Sequence, residues 1–422
     1  MGAVLELAEK YWKGEVTTYE RHPFAGLEML EEVAERTVFY NAFSGVTAFD
    51  TDDGLVIVDT GTFFNQEIVF QAIREWSKAR LNTAIFTHGH VDHVFGVPLY
   101  ANEAKERGWA RPRVVAHEAV PPRFDRYILT AGYNGVINQR QFAQHVQWPT
   151  SYTYPDVTYR DSMSLTVGGL RFELNHARGE TDDHTWVWVP ARRVLCTGDL
   201  IIWAVPNGGN PQKVQRYCGD WAAALRRMAG LNAKVLCPGH GIVVVGEERV
   251  RQILTDTAEL LESLYEQALR LMNEGATLDA VIHSVKSPAH LAKRPYLQPV
   301  YDESQYIVRN IWRLYGGWYD GNPAHVKPAP EAEQATEIAR LAGGVSALVE
   351  RARKLAQEGN LRLACHVIEW AYAVAPNDRA VHEARAEVYG RRADTETALM
   401  TMNIYRAAER ESREKCEVPK VS

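Results

Sequence analysis

Thr87-His88-Gly89-His90-Val91-Asp92-His93 packs three imidazoles and a carboxylate into six consecutive positions, directly after the apolar run at residues 83–86. With only 14 His in 422 residues, that order is far denser in donors than chance would give, and it reads as a transition-metal site. The spacing suggests two ions. His88 and His90 lie two apart on a loop and can face one ion, while Asp92 and His93 begin the next turn and can face a second. Neutral imidazole suits zinc or iron, and Asp adds a harder oxygen, so zinc is the expectation and manganese or iron the alternatives.

Working outward, the flanks alternate between strand and helix patterns. Residues 37–40, 46–49 and 55–58 read as strands, with a turn at Asp52-Asp53-Gly54 and an acidic end at Asp59-Thr60-Gly61. Ile68, Phe70, Ile73 and Trp76 fall at helical spacing before the strand that delivers the histidines. Downstream, Gly168-Gly169 predicts a hairpin, followed by strands at 185–189 and 193–197. The region at 117–148 is ambiguous and is expected to line or cover the site. Past Val244 the texture turns helical, which predicts a boundary near residue 245. Residues 351–389 resemble a helix-turn-helix repeat unit.

Three further segments end strands in polar clusters: Gly179-Glu180-Thr181-Asp182-Asp183-His184, Thr197-Gly198-Asp199, and Pro238-Gly239-His240-Gly241. Taken singly, each is an ordinary turn or cap. Taken with the histidine run, Glu180, Asp199 and His240 complete a ligand set.

Composition narrows the function classes. Hydrophobic residues make up 46% and charged residues 24%, as in a soluble globular protein. No apolar run approaches the roughly 20 residues of a membrane span. A net charge of -6 argues against nucleic acid as the partner. The first twenty residues mix Glu and Lys with apolar residues, unlike a secretory signal, and a cytoplasmic protein is expected. Five scattered cysteines read as reduced and mostly buried.

The order His88-x-His90-x-Asp92-His93, Glu180, Asp199, His240, with Asp59 at a strand end, resembles the metallo-β-lactamase superfamily. Glu180, where most members have His, is similar to the zinc-dependent (type III) alkylsulfatases. The run Leu314-Tyr315-Gly316-Gly317-Trp318-Tyr319-Asp320-Gly321-Asn322-Pro323-Ala324 resembles the start of the alkylsulfatase dimerisation domain, and Met402-Asn403-Ile404-Tyr405-Arg406 its closing helix.

The resemblance implies an α/β fold: an αββα sandwich at 35–245, preceded by a helical arm at 1–34 and followed by an all-α dimerisation domain at 246–422 with tetratricopeptide-like helix pairs. It implies two zinc ions. His88, His90 and Glu180 would hold one, Asp92, His93 and His240 the other, with Asp199 and a hydroxide bridging them. The chain is expected to stop before the family's sterol-carrier-like third domain. In this family a His and an Arg after the bridging acid engage the sulfate, yet residues 205–217 here contain no His. Asn207, Lys213 and Arg216 are therefore the expected substrate-binding residues, and Asp92, His184 and Tyr217 the expected catalytic ones, the last two as acids. The expected activity is hydrolysis of an anionic small-molecule ester by a homodimer, foremost an alkyl or aryl sulfate. Lactone, carboxylic-ester or phosphoester hydrolysis is the alternative, and a partner-binding protein with a degenerate site is the reading from another class.

Overall fold

The computed structural model describes residues 2–143 and 145–417. Met1 and residues 418–422, at the ends of the expected arm and C-terminal domain, lie outside the described residues. Thirteen strands are described: β1 (Met29–Ala34), β2 (Thr37–Asn41), β3 (Val46–Thr51), β4 (Gly54–Val58), β5 (Leu81–Ile85), β6 (Arg113–His117), β7 (Val157–Tyr159), β8 (Ser162–Val167), β9 (Leu170–His176), β10 (Thr185–Val189), β11 (Val194–Gly198), β12 (Val235–Pro238) and β13 (Val244–Val245). They form a seven-stranded sheet in the order β1 to β7 and a six-stranded sheet in the order β13-β12-β11-β10-β9-β8. The chain packs as two compact units. One comprises Met1–Gly132 with Trp148–Gly317, the other Tyr133–Gln147 with Trp318–Ser422.

Side-chain alternation explains the layers of the first unit. In β2 and β4, Phe39, Val56 and Val58 join one buried cluster while Val38, Tyr40, Leu55 and Ile57 join another. Both faces of this sheet are therefore covered, as its continuous apolar strands require. The inner cluster also takes Phe172, Leu174, Trp186 and Val187 from the second sheet, and the Phe49 and Phe172 rings meet edge-on at 5.3 Å. The outer cluster takes Val69 and Ile73, Val97 and Tyr100, and Val120 and Phe124 from three helices, Gln66–Trp76, Val97–Glu106 and Val120–Leu129. This is the expected αββα sandwich.

Two parallel pairings then position the site. Val58 pairs with Ile85, so Asp59 and the loop at 87–93 leave neighbouring strand ends. Cys196 pairs with Cys237 and Gly198 with Pro238, so Asp199 and His240 do the same in the other sheet. Thr185 N–H donates to the Thr87 carbonyl at 2.6 Å and Gly45 N–H to that of Gly239 at 2.7 Å, which ties the two sheets together at that edge.

Three details differ from the sequence expectation. The arm is helical only over Ala3–Lys13, and Met29–Ala34 adds an edge strand to the first sheet. The helices Glu247–Asn273 and Ser304–Gly316 pack with the sheets, so the change near residue 245 marks the onset of helix rather than the edge of a packed unit. The ambiguous region is two helices, Val120–Leu129 and Ala131–Phe142. Its residues from Tyr133 to Gln147 pack with the C-terminal helices, where Asn403 Nδ2 donates to the Gln141 carbonyl at 2.7 Å.

The second unit continues through helices Glu331–Ala342, Val345–Gln357, Leu361–Val374, Arg379–Asp394 and Leu399–Glu417. Ala352, Ala356, Ala364 and Ala371 are buried among them, small residues that let helix pairs approach closely. The cysteines are all free thiols, with Cys196, Cys218 and Cys237 buried.

Candidate metal centre

The seven expected ligands converge into two groups, His88, His90, Glu180 and Asp199 in one and Asp92, His93 and His240 in the other, each with one donor atom per residue within 4.8 Å of the rest. In the first group, Glu180 Oε2 lies 3.8 Å from His88 Nε2 and 3.6 Å from His90 Nδ1, and Asp199 Oδ2 is 3.7 Å from His88 Nε2. In the second, Asp92 Oδ2 is 3.3 Å from both His93 Nε2 and His240 Nε2. The other Asp199 oxygen, Oδ1, is 3.3 Å from His93 Nε2 and 3.4 Å from His240 Nε2, so this carboxylate spans the two groups.

Each donor is aimed by a second contact. Asp59, at φ +58 at the end of β4, accepts from Thr87 N at 2.7 Å and from Thr87 Oγ1 at 2.8 Å, and its Oδ2 lies 2.8 Å from His93 Nδ1. His240 Nδ1 donates to the Phe43 carbonyl at 2.5 Å. In both rings Nδ1 is engaged on the outside, which turns Nε2 inward, the orientation a metal ligand needs. Glu180 Oε1 accepts from Asn207 Nδ2 at 2.7 Å and pairs with Arg216 Nη2 at 2.7 Å. Its other oxygen is left for the centre of the group.

The buried polar atoms that lack a hydrogen-bond partner include His93 Nε2, Glu180 Oε2 and Asp199 Oδ1. His93 Nε2 and Asp199 Oδ1 have only ion-pair contacts at 3.3 to 3.4 Å, the nearest ion-pair partner of Glu180 Oε2 is His90 Nδ1 at 3.6 Å, and such poorly satisfied burial is costly. The electrostatics agree. Burial pushes the Glu180 carboxyl up to about 7, against the pull of Arg216. Burial, with His93 and His90 adjacent, holds the His88 imidazole well below its usual value and so neutral. Burial opposes charge on His240 too, yet Asp199 and Asp92 pull it up to about 10. The carboxylates are drawing protons onto nearby imidazoles, the compensation that cations between the groups would supply instead. The donor set therefore fits a metal site for hard-to-borderline cations.

The other expected site residues take different places around the donors. His184 is buried behind His88, ring centroids 4.7 Å apart, with Nε2 donating to the Thr197 carbonyl at 3.0 Å, so it braces the cluster from behind. Tyr217 lies under the Arg178 guanidinium at 4.6 Å, and that Arg pairs with exposed Asp220. His184 thus commits its Nε2 to a carbonyl, and Tyr217 its ring face to a guanidinium. Asn207 and Arg216 contact Glu180 rather than open space. Lys213 is half-buried, with its Nζ 5.5 Å over the Trp148 ring. Desolvation and the nearby Arg216 push its amine down to about 8. His117, an alternative for the site edge, stacks on His176 at 3.7 Å instead.

Several neighbours escaped the sequence reading. Arg123 and Asp183 form a buried pair beside the histidine loop. Arg123 shares one helical face with Val120, Phe124 and Tyr127, all buried, and a charge on an apolar face was the available signal. Phe24 packs on His240 at 4.2 Å and on Tyr301 at 4.5 Å, and Phe43 lies 5.4 Å from His240. These aromatics come from segments that no motif links.

The metallo-beta-lactamase superfamily profile matches residues 40–240, and the alkyl sulfatase dimerisation profile matches residues 277–415. The linear primary-alkylsulfatase of Pseudomonas sp. (strain ATCC 19151) is 28% identical, over 81% of this chain and 69% of its own length. The alkyl/aryl-sulfatase of Saccharomyces cerevisiae is 24% identical, over 82% of this chain and 57% of its own length. The chain thus spans only part of the length of the curated relatives it matches. Among solved structures, the stereoselective inverting sec-alkylsulfatase from Pseudomonas sp. shares the fold with a TM-score of 0.83 at 23% identity, covering 93% of this chain and 66% of that one. With the sandwich, the strand-end donor set and both profiles in the expected order, the chain belongs to the metallo-β-lactamase superfamily, in the alkylsulfatase family that adds the dimerisation domain.

Proposed function

We propose that this protein is a metal-dependent hydrolase that cleaves alkyl or aryl sulfate esters at a centre of two zinc ions. The observation that carries the reading is the convergence of seven His, Asp and Glu donors on two groups, with Glu180 Oε2 buried and unpartnered among them, inside an alkylsulfatase-family fold. His88, His90 and Glu180 would hold one ion, Asp92, His93 and His240 the other, with Asp199 between them. Such ions polarise ester oxygens and lower the pKa of water towards neutrality.

The chain's own residues do the rest. Asn207 and Arg216 fix Glu180 through one oxygen and so act through it, while Lys213 is the cation left to meet the ester's anionic group. With its amine at about 8, Lys213 holds a proton at neutral pH, which suits it to protonate a poor alkoxide leaving group. Phe24 and Phe43, beside His240, offer an apolar wall to the organic part of the ester. The dimerisation domain supports a homodimer. Among the described residues no helix is long and apolar enough to cross a membrane.

The test is a substrate panel with purified protein: dodecyl sulfate and an aryl sulfate against a lactone, a carboxylic ester and a phosphate ester. The proposal expects inorganic sulfate from the first two, lost with a chelator and restored by zinc. Metal-loaded protein that releases no sulfate but opens the lactone or cleaves another ester would overturn the sulfatase assignment.

A further inference from the structure

The seven donors sit on loops, and the contacts that brace them overlap only in part: Asp59 meets His93 directly and reaches His88 through Thr87 Oγ1, 3.0 Å from His88 Nδ1. Asp59 and the Phe43 carbonyl steady His93 and His240 of the second group. The first group draws His88 and His90 from the start of loop 87–93, whose end carries Asp92 and His93 of the second group, and Glu180 from loop 179–184; one side chain reaches the first part of the one and also the other. Arg123, on the helix Val120–Leu129, is 2% exposed. Its Nε donates to Asp183 Oδ2 at 2.7 Å, and its Nη2 pairs closely with Asp182. The same Asp183 oxygen accepts the backbone N–H of Gly89 at 2.9 Å, between His88 and His90. The Arg123 stem also packs on that glycine, because a Cβ there would lie 2.8 Å from Arg123 Cδ. Asp182 and Asp183 follow Glu180 by two and three residues. One guanidinium therefore joins a helix to both loops that supply His88, His90 and Glu180, and it neutralises an Asp183 carboxylate that has no exposure of its own.

We infer that Arg123 is a positioning residue for the first metal group alone, holding the His88–His90 loop against the Glu180 loop through Asp183. The inference rests on the metal-binding reading, which titration of the unaltered protein tests separately. Residues behind metal ligands typically change metal affinity about 10- to 100-fold when altered. Chelator-stripped full-length protein, titrated with zinc against a competing chromophoric chelator, should show two equivalents. In Arg123→Met one equivalent should weaken about 10- to 100-fold while the other stays within about threefold, and Arg123→Lys, which keeps the charge but not the fork, should fall between. Adding Arg123→Met to His88→Ala, which already lacks the first group, should leave the remaining equivalent unchanged.

A general loss of structure would weaken both equivalents together, and that result, or no change in either, overturns the inference. If Arg123→Met does not fold, Asp183→Asn and Arg123→Lys read the same split. If the unaltered protein binds no zinc, the metal reading itself fails first.

Discussion

Arg216 separates two accounts of this site, one in which it grips substrate and one in which it steadies a ligand. The guanidinium is 1% exposed and pairs at 2.7 Å with Glu180, which has no exposure at all. Removing one partner of such a buried pair leaves an uncompensated charge and costs about 3–5 kcal/mol. In Arg216→Met only Asn207 still contacts that oxygen, and the Glu180 carboxyl, already pushed up to about 7 by burial, rises further. The folded variant then holds its proton more tightly than the unaltered protein does. Raising the pH strips that proton at the variant's expense, so its stability deficit grows with pH.

Chemical denaturation of chelated protein should therefore show a loss of about 3–5 kcal/mol at alkaline pH and a clearly smaller one near pH 5. Metal affinity should fall about 10- to 100-fold in parallel. A deficit that is largest at acidic pH, or a variant with intact metal affinity and only a raised KM, would refute the reasoning and return Arg216 to the substrate.

Three other outcomes follow from local geometry. Asp59→Asn would present an amide donor to His93 Nδ1, favouring the tautomer with a proton on Nε2, and zinc affinity measured by competition should drop about 10- to 100-fold. Gly239→Ala would place a Cβ 2.1 Å from Asp199 Oδ1. The Cβ would also meet Gly198 C at 2.6 Å and Asp199 N at 2.7 Å, so kcat/KM should fall by about 100-fold and the melting temperature should fall with it. Asp302 accepts from Gly209 N at 2.8 Å and Glu303 N at 2.7 Å, and burial pushes its carboxyl up to about 8. Being raised, it contributes most below the ordinary carboxylate range and loses that contribution as pH rises through about 8. Asp302→Asn should therefore flatten the decline in stability between about pH 4 and pH 8, as read by denaturant midpoints.

What the sequence made legible was local in the chain. The histidine run is continuous, Glu180, Asp199 and His240 each follow a strand pattern, and apolar runs marked many of the strands, including the hairpin at Gly168-Gly169, but not Met29–Ala34 or Val157–Tyr159. All seven candidate donors are therefore legible as local motifs, and the fold brings them within reach of one another. What was misread depends on where a side chain turns. Asn207 and Arg216 lie on a loop that the sequence leaves free to face substrate, and only the fold turns them back to Glu180. His184 and Tyr217 carry the right chemistry but face the Thr197 carbonyl and Arg178. Arg123 and Asp183 are 60 residues apart and meet only in three dimensions. The boundary near residue 245 followed a change of periodicity, and periodicity does not reveal which core a helix joins.

The most direct measurement is the rate of inorganic sulfate release from dodecyl sulfate as chelator-stripped protein is titrated with zinc. The account predicts no release without metal and a rate that climbs until two equivalents per chain are bound. Full activity in the stripped protein, or saturation with zinc and no sulfate released, would contradict it.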